Sequence, residues 1–407
     1  MSTSDKSNPG LPFGEFVILM ALLTSITALT IDAILPALPD VGRDLQVAHS
    51  NDVQLIISLI FLGMGLGQLF YGPLSDSIGR KPAVAIGIGV FAVGCLFSLL
   101  AADFNTMLLG RLLQGIGLGA PRIVSMALIR DQYQGRAMAR VMSFVMTIFI
   151  LVPMVAPALG QGILLFANWR MIFATILVFG IVVLVWFLVR QPETLAPERR
   201  FPFSLRQMGR SVREIIGNRV AFGYTLTAGV VFSAFLAYLS SVQQLLQQQY
   251  ALGNMFALAF AGLALSVGGA SYVNGRLVVH FGMQFMLRRS RMVRFVVSTI
   301  FYGVSFRYGG QPPLWMLAPY LMVILFCMGL LFGNINALAM EPLGHIAGIG
   351  AAVVGSMSTL VAVPVGIVIA RAYDGTVLPI VGSFAVCALL ALAISTWAEA
   401  GKRERTL

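Results

Sequence analysis

The chemistry open to this chain rests on very few side chains. Of its 16 acidic residues, Asp32 is the one that falls well inside an apolar stretch, whereas Glu15, Asp76, Asp131 and Glu341 stand near the ends of such stretches. A carboxyl group away from water is balanced between burial, which disfavours its charged form, and any nearby cation, which favours it. Such a group can take up and release a proton as its access to water changes. Arg111 and Arg122 share another apolar stretch. An arginine there costs at least ~2.5 kcal/mol near a bilayer centre, so it persists only beside a polar cavity or a partner.

Helix rise sets the depth of each group. If the first apolar helix enters near Phe16, Asp32 lies about 24 Å along it; if Arg111's helix enters from the other side near Asn105, Arg111 lies about 9 Å in. The two opposite charges then share the outer third of the membrane, with Asp32 as proton carrier and Arg111 as its electrostatic partner. A competing reading makes Asp32 the end of an interfacial helix just before Pro36 and Pro39. Arg122 follows Arg111 by eleven residues, a rotation of about 20° on a helix. Both arginines, with Gly115 and Ser125, are therefore expected on one face, lining a central cavity. For Arg122 three roles remain open: contact with an anionic substrate, a charge at a cytoplasmic gate, or snorkelling to the interface.

Other chemistries find little support. Gly115, Gly117 and Gly119, like Gly63, Gly65 and Gly67, fall in apolar helical stretches with no strand before them, which reads as packing. No P-loop occurs, so ATP is not expected to drive this protein. His49, His280 and His345 fall in different loops, so no metal site is expected. Cys95, Cys327 and Cys387 lie within apolar runs and read as small core residues. The glutamines from Gln243 to Gln249 end an apolar stretch, as an amide-lined vestibule or a solvated helix end.

The elements that must hold these groups are transmembrane helices. In 407 residues only 11% are charged and 58% are hydrophobic, with a mean hydropathy of +0.88. A water-facing surface cannot be built from that remainder. Twelve apolar runs are expected at roughly 14–36, 53–72, 82–102, 105–129, 139–163, 169–190, 219–243, 254–279, 289–307, 313–340, 348–371 and 377–398. The ninth is the weakest, with a short core between Arg294 and Arg307. The first is too long for a cleaved signal peptide and reads as a retained span. A net charge of +11 would suggest nucleic acid in a soluble protein. Here the charge lies between the runs, and placing the N-terminus inside puts 21 of the 27 basic residues in the cytoplasm, Lys6 and Arg405 among them. Only Arg43, Arg170, Arg307 and Arg371 fall outside. Both termini are then cytoplasmic, and no nucleic-acid partner is expected.

The hydrophilic segment 191–217 divides the chain into an N-terminal six-helix half, 1–190, and a C-terminal half, 218–407. Gly72, Leu74 and Gly79 recur as Gly275, Leu277 and Gly282, at one offset and after the second span of each half. Parallel six-span repeats of this kind build major-facilitator folds.

The motifs agree with that architecture. Gly72, Leu74, Asp76, Gly79, Arg80 and Lys81 resemble the loop signature of major-facilitator proteins after the second span, with Ser77 where a basic residue is usual. The resemblance implies a conformational latch formed by this loop with Arg130 and Asp131, closing the cytoplasmic helix ends in the outward-open state. Arg111, Gln114 and Gly115 are similar to the family's fourth-span motif. Pro153, Pro157 and Gly160 resemble its antiporter motif, with Ala156 and Gln161 replacing glycines, and imply a helix bend. Asp32, Leu35, Pro36 and Pro39, with Trp169, Arg170, Gly333, Asn334, His345 and Gly348, resemble the bicyclomycin/chloramphenicol resistance (Bcr/CflA) branch of twelve-span drug:proton antiporters.

That resemblance implies an all-α polytopic membrane protein of two pseudo-symmetric six-helix halves, in the bacterial inner membrane. It implies no enzyme and no cofactor, with protons as the coupling ion. A small amphipathic compound would be exported by alternating access from a monomer embedded in the bilayer. The cavity would lie between spans 1, 2, 4, 5, 7, 8, 10 and 11, with Arg122, Gln114, Gln243, Asn334 and Asn336 as candidate lining residues. The alternatives are a proton-coupled importer or facilitator of a metabolite and, in a different class, a membrane-embedded receptor or enzyme.

Overall fold

A computed structural model describes residues 11–403, so Lys6 and Arg405 lie outside the described residues. No strand occurs among the described residues. The chain opens with α1 (Phe13–Asp32), a short turn, and α2 (Leu38–Asp44). Then follow α3 (Leu55–Ile78), α4 (Arg80–Leu99), α5 (Phe104–Gln132), α6 (Gly135–Leu164) and α7 (Arg170–Arg190). After α8 (Leu205–Gly217) come α9 (Arg219–Gln243), α10 (Phe256–Phe281), α11 (Met283–Arg307), α12 (Leu314–Met340), α13 (Ala347–Arg371) and α14 (Leu378–Arg403).

Among the described residues, eleven helices are long and apolar enough to cross a membrane. The twelfth is α11, whose 25 residues suffice in length but whose first half carries Arg288, Arg289, Arg291 and Arg294. This is the ninth expected span. Its inner arginines are turned into protein: Arg291 donates to the Ala391 carbonyl at 3.3 Å and lies 3.7 Å from Glu399. Arg294 is fully buried, 5.9 Å from the centre of the Phe384 ring. Charge turned toward α14 lets a helix span without being apolar in composition.

Close helix packing comes from small residues. A methyl group on Gly115 would lie 2.1 Å from the Ile60 carbonyl oxygen of α3, and one on Gly67 would lie 2.2 Å from the Ile116 oxygen of α5. The glycine triplets are therefore packing surfaces. The internal repeat is realised at Gly79 (φ +108°) and Gly282 (φ +79°), each followed at once by the third long helix of its half. Only glycine adopts such values at low cost. The halves meet along α3 and α13, where the Ser356 hydroxyl donates to the Gly65 carbonyl at 2.6 Å, and along α6 and α10, where Ile150 fills the space beside Gly268.

The hydrophilic segment between the halves is not a plain loop. Ser204 caps α8, accepting from the Gln207 amide at 3.2 Å, and Met208 and Ile215 bury one face of it. Arg206, Arg210 and Arg213 stay exposed on the other.

Candidate functional site

A cavity of about 360 Å³ lies between the halves. It is walled by α1, α3, α5 and α6 on one side and by α9, α10 and α12 on the other. These are seven of the eight expected spans; α13 packs on α3 and contributes no lining residue. The walls are largely aromatic. Phe232 stacks on Phe235 at 5.9 Å and meets Phe61 and Phe332 edge-on at 5.4 and 5.6 Å. Phe149, Phe260 and Tyr238 complete the aromatic lining.

Asp32, the last residue of α1, lies on this wall with 4% of its surface exposed. Arg122 lies on the same wall but is exposed, as is Asn336 of α12. Ile31, Asp32, Tyr238 and Leu239 are buried at the other end. Exposure thus rises toward the face where α1 begins and α14 ends, and the cavity opens there.

The remaining candidates lie elsewhere. Arg111 is fully buried and off the cavity. It donates to the Ile56 carbonyl at 2.9 Å, the Thr30 carbonyl at 3.0 Å and Gln114 Oε1 at 2.8 Å. Among the described residues, no ion pair or hydrogen bond joins it to Asp32. It ties α5 to the backbone of α1 two residues before Asp32, at a carbonyl in the last turn of that helix, where carbonyls lack intrahelical partners. Gln114 belongs to that knot, donating to the Gly94 carbonyl at 3.2 Å and the Ser98 hydroxyl at 3.0 Å. Asn334 is held by Asn274 at 2.7 Å, and Gln243 donates to Gln247 at 3.1 Å. The shared face of α5 therefore meets the cavity at Arg122 but packs against α3 at Gly115, because α3 crosses it there.

The helix α6 runs unbroken through Pro153 and Pro157. Pro153 lies on the cavity wall. A methyl group on Gly160 would lie 1.9 Å from the Ala33 carbonyl oxygen, so this glycine seats α6 against the turn that follows Asp32.

On the face of the termini, Arg80 sits with 5% side-chain exposure between two carboxylates. It donates to Asp131 at 2.9 Å and also to Asp76, while its Nη1 reaches the Ser75 hydroxyl at 2.9 Å. Arg130 is exposed and approaches Gly348 of α13. Sequence reasoning missed Glu193, which accepts from the Arg80 and Lys81 amides at 3.0 Å each. It occupies the anion-favouring start of α4. These bonds join the N-terminal half to itself and to the segment that follows it, and they are present while the cavity is open at this same face.

The opposite face is shut by bonds between the halves, also unforeseen. Asn51 Nδ2 donates to the Arg371 and Tyr373 carbonyls at 3.0 and 2.7 Å, and Arg371 donates to Asp52 at 2.9 and 3.1 Å. Gln54 pairs with Gln244 and accepts from Ser241 at 3.2 Å. Gln244 begins a widened helical turn, Gln244–Gln249, after α9. Within the glutamine run, Gln244 is thus buried in the seal, whereas Gln248 is exposed. One signal was available. Of the four basic residues breaking the charge bias, Arg43, Arg170 and Arg371 are held by Asp40, Asp44 and Asp52 at 3.4, 3.6 and 2.9 Å.

Comparison with known proteins bears on the whole chain. Residues 20–366 match the sequence profile described as Major Facilitator Superfamily. An uncharacterized MFS-type transporter of Bacillus subtilis, YdgK, is 30% identical over 84% of this chain and 85% of its own. A bicyclomycin resistance protein homolog of Haemophilus influenzae is 27% identical over 93% and 94%. The multidrug resistance protein MdtL of Shigella dysenteriae is 26% identical over 84% of each. Two solved structures share the fold: the human transporter MFSD10 (TM-score 0.70, 17% identity, 95% of this chain and 100% of that one) and the Escherichia coli xylose transporter XylE (0.71, 12%, 95% and 96%).

Proposed function

The chain belongs to the Major Facilitator Superfamily of transporters, and on that premise we propose that it exports small amphipathic compounds in exchange for protons. The observation that carries this reading is the position of Asp32. It is a carboxyl group on the wall of an aromatic cavity between the halves, and that cavity opens at one membrane face and is sealed at the other. Relatives named for bicyclomycin and multidrug resistance support the drug-efflux part of it. The basic residues support a bacterial inner-membrane location with both termini in the cytoplasm, so the open face is the cytoplasmic one.

The cycle follows from this geometry. With the cavity open inward, cargo settles against the phenylalanines as Asp32 gives up its proton. The halves, 1–190 and 218–407, then rock about the cavity while the 191–217 segment tethers them. With the cavity open outward, a proton reaches Asp32 from the acidic side and cargo leaves. Arg111 acts as a positioning residue, fixing the α1 backbone next to Asp32. The Arg80, Asp76, Asp131 and Glu193 cluster keeps the N-terminal half rigid as it moves. A single chain contains both halves and works as a monomer.

The test is transport in everted membrane vesicles with an imposed pH gradient and a fluorescent amphipathic substrate. Asp32→Asn holds the site in a permanently neutral form. Gradient-driven accumulation is expected to vanish, and proton release on substrate addition to the purified protein with it. Full gradient-driven transport by Asp32→Asn would overturn the assignment.

A further inference from the structure

We propose that the cargo of this cavity is an aromatic acid whose anionic group pairs with Arg122. The inference rests on the transport reading above and adds to it the charge of the compound carried. Arg122 is set apart from the protein's other enclosed arginines. Arg80 is flanked by two carboxylates, Arg111 is bonded to carbonyls, and Arg291 faces Glu399. Arg294 lacks hydrogen bonds but is fully enclosed, with no room for a ligand. Among the described residues, Arg122 combines an open approach with no hydrogen bond, ion pair or ring contact.

The alternatives for Arg122 fail on placement. Snorkelling requires a stem lying along lipid, whereas Arg122 shares a wall with Phe149, Phe332 and Asn336. A gate charge would pair with an acid at its own level when that face closes, and none of the lining residues at the level of Arg122 is acidic. Asp32 is the only acidic residue among those lining the cavity, and Arg122 lies eleven residues, about 16 Å of helix rise, from Arg111, which bonds beside Asp32. An exposed cation on a mostly apolar wall with no protein counterion is a site for an anion supplied from outside. The volume suits a compound of drug size. The phenyl walls between Arg122 and Asp32 call for an aromatic body. Arg122 also stands at the open end, so it meets an arriving acid first.

A charge on the cargo changes the energetics of export. Each acidic molecule leaving the cell moves one more elementary charge than its neutral analogue, whatever the number of protons exchanged. At 100 mV, inside negative, that charge raises the outward gradient that can be held by about 50-fold.

The experiment compares biphenyl-4-acetic acid with its primary amide, binding to the purified full chain in nanodiscs at pH 7. The wild type is expected to bind the acid about 10-fold or more tightly than the amide, as a charge-assisted bond supplies. Arg122→Gln is expected to bring that ratio near one, Arg122→Lys to retain part of it, and Arg122→Glu to favour the matching amine. An acid bound no more tightly than the amide, a preference untouched by Arg122→Gln, or binding of neither compound overturns the proposal. An Arg122-dependent preference for the acid without pH-gradient-driven transport would instead sink the export reading and leave this one standing.

Discussion

Loosening the seal between the halves should expose the cavity's buried end to the side opposite the termini, by an amount the structure allows to be worked out. Asn51→Ala removes the two amide bonds to Arg371 and Tyr373 and the acceptor that Gln244 reaches at 3.3 Å. Each bond is exchanged for water when the seal opens, so each is worth about 0.5–1.5 kcal/mol, or about 2 kcal/mol for the residue. Asp52→Ala adds about 0.5 kcal/mol, since its partner Arg371 is 55% exposed and screened. Together they shift the equilibrium by about 2.5 kcal/mol, or about 60-fold toward the state open on that face. The reporter is Ser240→Cys, placed beneath the seal at 1% exposure, 3.5 Å from Ser58. The native Cys95, Cys327 and Cys387 are buried and give a low background. A membrane-impermeant maleimide added outside intact cells should label the reporter faster in the double variant, the rate tracking the open fraction. The seal is insensitive to mild alkali at Tyr373, because burial pushes its phenol up to about 12, so labelling can be run at the pH that suits the thiol. An unchanged labelling rate refutes the seal, and labelling only from the cytoplasmic side refutes the orientation.

Three further outcomes test the parts around the cavity. Asp131→Asn strips a charge-assisted bond from the nearly buried Arg80 and is expected to cost about 1–3 kcal/mol, seen as a lower melting temperature in detergent. Asp76→Asn, at a side chain 37% exposed, should leave expression near normal while slowing transport; full transport by that variant would remove the latch from the cycle. Gly160→Ala, whose new methyl would meet the Ala33 carbonyl, should destabilise by about 1–3 kcal/mol and weaken coupling through Asp32, whereas Gly162→Ala, with nothing within 4 Å, should match the wild type in both melting and transport.

Much of this protein was legible in its sequence, because a bilayer imposes rules that act on each segment separately. A helix must satisfy its own backbone in hydrocarbon and must be long enough to cross, so the spans announce themselves in composition. Even α11 was placed by parity and by its flanking arginines, although its charge hid it. The glycine repeat, the loop of Asp76 and Arg80, and the isolation of Asp32 were visible for the same reason: each is a local exception in an apolar text. What a buried side chain touches is a different kind of fact. Depth along a helix put Arg111 level with Asp32, but rotation and tilt decided that its guanidinium meets the Thr30 and Ile56 carbonyls. Periodicity put Arg111 and Arg122 on one face, but the crossing of α3 over α5 covered that face at Gly115 and left it open at Arg122. Glu193 and the seal of Asn51, Gln54, Gln244 and Arg371 join residues more than a hundred positions apart. The bonds of Glu193 exist only because the chain after α7 returns to the start of α4, and those of the seal only because two six-helix halves come together; no property of either segment alone encodes such a meeting.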